Sequence, residues 1–125
     1  MDALGHVNNA KYFSYFEEAR IEYMFHLGFE TVTQKDLSGP ILANISCDFL
    51  RPIVFPDTLT IGTGVIKIGR SSMQMDYEIY SKQQDTIVAR GTSVLVMMNY
   101  KEGKSIPVSD DIKSRIISLD PQVVF

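Results

Sequence analysis

Apolar residues recur every three or four positions between Asn8 and Leu27, at Tyr12, Phe16, Ala19, Tyr23 and Leu27. That spacing predicts one long helix. Asn8 or Asn9 suits its N-cap, and Gly28 stands where a left-handed C-terminal residue is wanted. Phe13, Tyr15, Met24 and Phe25 widen the apolar stripe, so the helix is expected to be wrapped by other structure rather than laid on an outer face. Residues 28–40 read as a connection broken by Gly39-Pro40.

The period then changes to two. Ile41, Ala43, Ile45, Cys47 and Phe49 alternate with Leu42, Asn44, Ser46, Asp48 and Leu50, predicting a strand that Arg51-Pro52 ends. Further strands are expected over 59–68, 73–80 and 86–100, with turns at Pro56-Asp57, Gly69-Arg70-Ser71, Gln83-Gln84-Asp85 and 101–104. The run Val94 to Met98 is apolar at every position, so both faces of the sheet should be covered there. Ser109 to Leu119 reads as a short helix with Asp110 and Asp111 near its positive end. The order predicts an α+β fold: one aromatic helix enclosed by a strongly curved antiparallel sheet. The two-sided strand points to an oligomer.

Composition narrows the function more than the fold. The chain has 125 residues, 45% hydrophobic and 22% charged, with no repeat, linker or low-complexity tract. One domain spanning 1–125 is expected. The longest apolar run is far short of the roughly 20 residues a membrane helix needs, so no membrane partner is expected. Net charge is −3, too acidic for a protein that coats nucleic acid. The charge is uneven: residues 1–62 hold 4 basic and 8 acidic side chains, and residues 63–125 hold 8 and 7. A phosphate-bearing ligand is expected to meet the second half. The lone Cys47 excludes an internal disulfide and suits a reducing cytoplasm.

Most chemical motifs are missing. Lys67 stands where a dinucleotide-binding loop beginning at Gly62 needs its last glycine. His6 and His26 have no zinc-type partners in sequence, so no metal is expected. Cys47, in an apolar alternation, reads as an inert thiol. What remains is Asp2-Ala3-Leu4-Gly5-His6-Val7-Asn8-Asn9, a polar loop leading into the N-terminus of a buried helix. Such a terminus offers backbone N–H groups to an oxygen that gains negative charge. A carboxylate facing a polarised carbonyl attacks it or activates water to do so. Spacing alone leaves the plainer reading open, with Asp2 a solvated terminal residue and Asn8 a helix cap.

The same segment, continued by Ala10-Lys11-Tyr12 and by Tyr15-Phe16-Glu17-Glu18-Ala19-Arg20, closely resembles the hotdog-fold acyl-CoA thioesterases of the 4-hydroxybenzoyl-CoA thioesterase-like family. Phe49-Leu50-Arg51-Pro52-Ile53 with Asp57, the turn Ile68-Gly69-Arg70-Ser71-Ser72, and Gly103 with Ile106-Pro107 are similar to later family segments. The first motif is specific; the later ones alone are weak. The resemblance implies a hotdog fold, a homodimer or dimer of dimers with sites at the subunit interface, and hydrolysis of an acyl-CoA thioester. It implies no cofactor, since CoA is part of the substrate.

Residue by residue, the resemblance makes Asp2 the catalytic carboxylate, as nucleophile or general base, and the backbone N–H of Asn9 the group that polarises the carbonyl. It places CoA phosphates at the turn of Arg70, Ser71 and Ser72, with Lys67 nearby. His6 and Asn8 contact substrate or order the loop. Tyr12 lines the acyl pocket or belongs to the core. Glu17 contacts substrate or pairs with Arg20. A non-catalytic acyl-CoA-binding module, a dehydratase and an acyl carrier protein thioesterase are the rivals, and the intact Asp2 and the Asp-x-x-Gly-His motif disfavour the first two. Family members carry a strand of about ten residues before the catalytic Asp. One residue precedes Asp2 here, so the hotdog fold is expected with its first strand missing from this chain.

Overall fold

The computed structural model describes residues 7–29 and 38–125. In chain order it holds α1 (Asn9–His26), β1 (Ser38–Phe49), β2 (Leu59–Ile68), β3 (Ser72–Ser81), β4 (Thr86–Asn99), β5 (Lys104–Ser105) and α2 (Asp110–Leu119). The strands form one antiparallel sheet ordered β1-β4-β3-β2, and β5 pairs with the end of β4. Tight hairpins join β2 to β3 and β3 to β4, while β1 lies beyond β4 at the far edge.

Both helices begin where the sequence places caps. The Asn8 side chain accepts a hydrogen bond from the Ala10 N–H at 2.9 Å, and the Ser109 hydroxyl accepts from the Ile112 N–H at 3.2 Å. Each takes up one of the donors a helix start leaves over. At the far end of α1, Gly28 has φ +94°. Its N–H donates to the Phe25 carbonyl at 3.0 Å, and the Phe29 N–H donates to the Met24 carbonyl at 3.1 Å. This paired closure needs a left-handed residue, hence glycine. An Arg115 guanidinium from α2 adds a hydrogen bond to the Leu27 carbonyl at 3.2 Å.

The stripe of α1 packs on the middle of the sheet. Tyr12, Phe16, Tyr23 and Leu27 are buried with Met73, Met75, Tyr77, Ile79, Val88 and Leu95. Phe16 stacks on Tyr77 with ring centroids 4.6 Å apart. Gly91 makes this approach possible, because a Cβ there would run into the Phe16 ring and lie 2.6 Å from the Ser46 carbonyl oxygen. The Tyr77 hydroxyl is satisfied inside the core by Ser93 at 2.6 Å and by Arg20 at 3.3 Å.

Three expectations change. Gly39-Pro40 does not break the chain before β1; both residues lie within it, opposite Met98 and Met97. Pro is tolerated because β1 is an edge strand, where a missing N–H costs no ladder bond. The helix is not enclosed all round: the sheet covers one side, and Ile21 and Phe25 remain 53% and 68% exposed. Aromatic content reports how much apolar surface a helix has, not which way it faces. Finally, Val94 to Met98 is not uniformly covered. Leu95 and Met97 are buried in the core, whereas Val94, Val96 and Met98 on the other face are half-buried. After α2 the tail turns back along β2, where Ile68 N–H donates to Val124 O at 2.8 Å and Val124 N–H to Ile66 O at 3.1 Å.

Candidate active site

The N-terminal end of α1 meets the end of β1. The Val7 N–H donates to the Ile53 carbonyl at 2.9 Å, which ties the approach to the helix to the segment after β1. Between the two lies a cavity of about 240 Å³ lined by Val7, Asn9, Tyr12, Phe49, Leu50, Arg51 and Pro52. Tyr12, one turn into α1, is 2% exposed and meets the Phe49 ring edge-on at 4.8 Å. Burial pushes the Tyr12 phenol up from its ordinary pKa, and a hydrogen bond with the Ile53 backbone pulls the other way. Most lining side chains are apolar, but polar and apolar groups share the exposed wall about equally. The polar contributions include Asn9 at the helix start, the Tyr12 phenol and the Arg51 guanidinium.

The helix start matters chemically. The first N–H groups of any α-helix lack intrahelical acceptors and carry a partial positive charge. Asn8 satisfies the N–H of Ala10 with its side chain. Asn9, the first helical residue, lines the cavity. An oxygen entering there gains a donor aligned with the helix dipole.

The sequence-predicted site residues do not all gather at this point. Asn9 and Tyr12 line the cavity, and Asn8 caps the helix beside it. Asp2 and His6 lie outside the described residues. Glu17 is exposed on α1, and its pairing with Arg20 is not formed: Arg20 instead donates to the Tyr77 hydroxyl at 3.3 Å. Among the described residues the ion pairs are Arg90–Glu78 and Arg115–Asp111.

The Lys67–Ser72 segment stands apart. Ser72 opens β3 opposite Val96, and the Ser71 carbonyl accepts from the Met97 N–H at 2.7 Å. The cavity lies at the other end of the sheet, where Phe49 faces Ala89 and the Val88 carbonyl accepts from Leu50 and Arg51. From Ala89 to Val96 is seven residues of β4, about 24 Å at about 3.4 Å each. Within one chain, therefore, the helix start and the predicted phosphate turn are at opposite ends.

Sequence reasoning missed the β1 half of the cavity. In the sequence Phe49, Leu50, Arg51 and Pro52 read as the end of a strand and as a weakly specific family-like segment, not as a wall of the site. The signal was the break in alternation at Leu50-Arg51-Pro52, three residues that turn the chain under a helix start. The loop that follows is held by Asp57. Its carboxylate accepts from the Ser81 hydroxyl and from the Gln83 N–H at 3.0 Å, and the Gln84 side chain donates to the Pro52 carbonyl at 2.9 Å. The hydrogen bonds to its carboxylate, led by that from Ser81, hold the Asp57 carboxyl below the usual carboxylate range.

Two other features carry less chemistry. Cys47 is half-buried on β1, and burial, with Asp48 adding to it, pushes its thiol up to about 11, so it is a poor nucleophile. A larger cavity of about 430 Å³ lies between β2 and the segment after α2, next to Asp76 and Asp120. There Asp120 already accepts from the Tyr23 hydroxyl and from the Val65 N–H. Its role in tying the chain's end to α1 and β2 accounts for its position. Among the described residues, no group of three His, Cys, Asp or Glu side chains is placed to hold a metal ion, and no helix is long and apolar enough to cross a membrane.

A long helix packed on a curved antiparallel sheet, its N-terminus opening on an apolar cleft, defines the hotdog class. The sequence profile of the Thioesterase-like superfamily matches residues 1–116, and the chain belongs to that superfamily. A thioesterase from Thermus thermophilus, solved in complex with coenzyme A and Zn, is 32% identical and superposes with a TM-score of 0.83, covering 97% of this chain and 86% of that one. The long-chain acyl-CoA thioesterase FadM of Escherichia coli is 25% identical over 117 residues, 93% of this chain and 88% of its own length. A thioesterase-superfamily structure from Jannaschia sp. CCS1 is only 18% identical yet has a TM-score of 0.86, covering 100% of this chain and 79% of that one, which speaks to the fold alone.

Proposed function

We propose that this chain is an acyl-CoA thioesterase, folded as one domain over 1–125. The observation that carries the reading is the α1 N-terminus, at Asn9, opening onto the apolar cavity beneath β1 in a chain of this superfamily. In this reading the acyl carbonyl lies against the Asn9 N–H, whose dipole stabilises the oxyanion as the thioester is attacked. Asp2, which precedes α1 in the sequence, supplies the carboxylate. It attacks the carbonyl to give a mixed anhydride that water opens, or it takes a proton from the water that attacks. Either way the carbon–sulfur bond breaks, the thiolate takes up a proton, and the products are a free acid and CoA thiol.

The separation of the two halves of the predicted site supports a dimeric enzyme. A ligand held at both the Asn9 end and the Lys67–Ser72 turn needs the two from different chains. The exposed β1 edge, with Ile41 and Leu42 42% and 39% accessible, is the surface on which a second copy pairs. His6 and Asn8 contact substrate, Tyr12 walls the acyl pocket, and Glu17, exposed on α1 and not paired with Arg20, is left to contact substrate. Neither a metal nor an organic cofactor takes part. The enzyme works in a reducing cytoplasm, where the free Cys47 thiol persists.

The test is thiol release from a panel of acyl-CoAs by the wild type and by Asp2→Asn. Turnover by the wild type that Asp2→Asn loses while keeping its melting temperature supports the reading. Equal rates for the two proteins remove Asp2 from the mechanism, and no thiol release with tight acyl-CoA binding favours a non-catalytic binding module.

A further inference from the structure

Arg51 has no part in the chemistry described so far, yet its placement is unusual. Among the described residues lining the cavity it is the only charged one, between the apolar Leu50 and Pro52 and across from Asn9 and Tyr12. Its backbone is fixed. The Arg51 N–H donates to the Val88 carbonyl at 3.1 Å, which the Leu50 N–H also reaches at 2.9 Å. The next residue is Pro52, whose ring locks φ and whose carbonyl is held by Gln84 at 2.9 Å. The side chain, by contrast, is exposed and has no ion pair or hydrogen bond among the described residues. A guanidinium on a pinned backbone, unpaired, at the rim of an apolar cavity is a ready receptor for two oxygens of one anion. Its planar fork matches a carboxylate or a phosphate in bidentate fashion.

We propose that Arg51 is a specificity-determining residue that binds an anionic group of the thioester substrate at the mouth of the Asn9 cavity. This rests on the thioesterase reading above and extends it to the charge of the substrate. The anion has two sources, a phosphate of the carrier arm or a carboxylate borne by the acyl group, and both present the same oxygens. Lys11, in the first turn of α1, lies over the Tyr15 ring and does not line the cavity, and the Lys67–Ser72 turn is distant, so among the described residues Arg51 is the cation that lines the cavity at the helix start. Arg51 acts on binding and not on the bond-breaking step, so its removal raises KM and spares kcat.

The experiment compares wild type, Arg51→Gln and Arg51→Lys on three thioesters: a neutral acyl-CoA, the same acyl group on N-acetylcysteamine, and a dicarboxylic half-acyl group on N-acetylcysteamine. The last two carry no phosphate. Arg51→Gln is expected to raise KM roughly tenfold to a hundredfold for whichever charged thioester Arg51 grips, as for loss of a charge-assisted hydrogen-bonded contact. It leaves the neutral N-acetylcysteamine thioester and all kcat values within about threefold, and Arg51→Lys recovers only part of the loss because an ammonium lacks the fork. Loss confined to the acyl-CoA identifies the phosphate; loss confined to the dicarboxylic substrate identifies the acyl carboxylate. Equal losses on all three thioesters, or no loss on any, overturn the proposal. If the wild type hydrolyses none of them, the thioesterase reading fails, and calorimetric binding of CoA and of the dicarboxylic thioester decides Arg51 separately. Weaker binding of either by Arg51→Gln upholds its role, and equal or absent binding in both proteins ends it.

Discussion

The two ends of α1 are built for different purposes. At the C-terminal end Gly28, Phe29 and Arg115 satisfy the last carbonyls, and Leu27 is fully buried. At the N-terminal end Asn8 caps with one side-chain bond, and the next residue lines a cavity. Between them, Phe16 locks the helix to Tyr77 and Gly91. The closed end and the middle hold the helix still, so the open end can present a fixed dipole to a ligand. The open terminus is exposed at Asn9, where water can take up its free N–H groups until a ligand does.

Substitutions at the two ends should therefore separate stability from activity. The largest loss of stability is expected in the middle: Phe16→Ala should cost about 3–5 kcal/mol by leaving a cavity under α1, read by denaturant unfolding. Gly28→Ala comes next, at about 1–3 kcal/mol, because it forces a side chain into φ +94° against the Arg115 guanidinium. Its kcat should stay near wild type once folded. Asn8→Ala should cost about 1 kcal/mol in stability. It should also lower kcat/KM, since the open end loses the cap that aligns it; unchanged kcat/KM would show the two ends to be equivalent.

The smallest effect concerns acid. Asp57, which ties the loop carrying Arg51 to Ser81, has its carboxyl held below the ordinary value. A depressed carboxylate stabilises the fold above its unfolded pKa, and that contribution is lost as pH falls through the folded one. Unfolding midpoints of the wild type should drop below about pH 4 more steeply than those of Asp57→Asn. Parallel curves would show that this loop is held by other contacts.

Much of this contrast was legible in the sequence. The spacing from Tyr12 to Leu27, the Asn8 cap and Gly28 placed α1 almost to the residue, because local hydrogen bonding decides helix ends. The alternation in 73–80 and the turn residues located the hairpins for the same reason. What was not legible depends on neighbours distant in sequence. Pro40 inside β1 is allowed only because that strand is at an edge, and the exposure of Phe25 depends on which side the sheet covers. For the site, the helix start was readable from the motif around Asn8-Asn9. The wall from Phe49 to Pro52 was not, since nothing local says that the end of β1 passes under α1. Nor was the distance between Asn9 and Arg70 readable, because it follows from the pairing of Phe49 with Ala89 and of Ser72 with Val96 on one strand.

In the proposed mechanism the open end of α1 is the seat of thioester hydrolysis, and Asp2 supplies the carboxylate. The most direct measurement is kcat/KM for thiol release from the best acyl-CoA of a panel, for wild type and Asp2→Asn at matched melting temperature. A fall of about a hundredfold or more is expected from removing the acting carboxylate. Equal values in the two proteins would contradict the account.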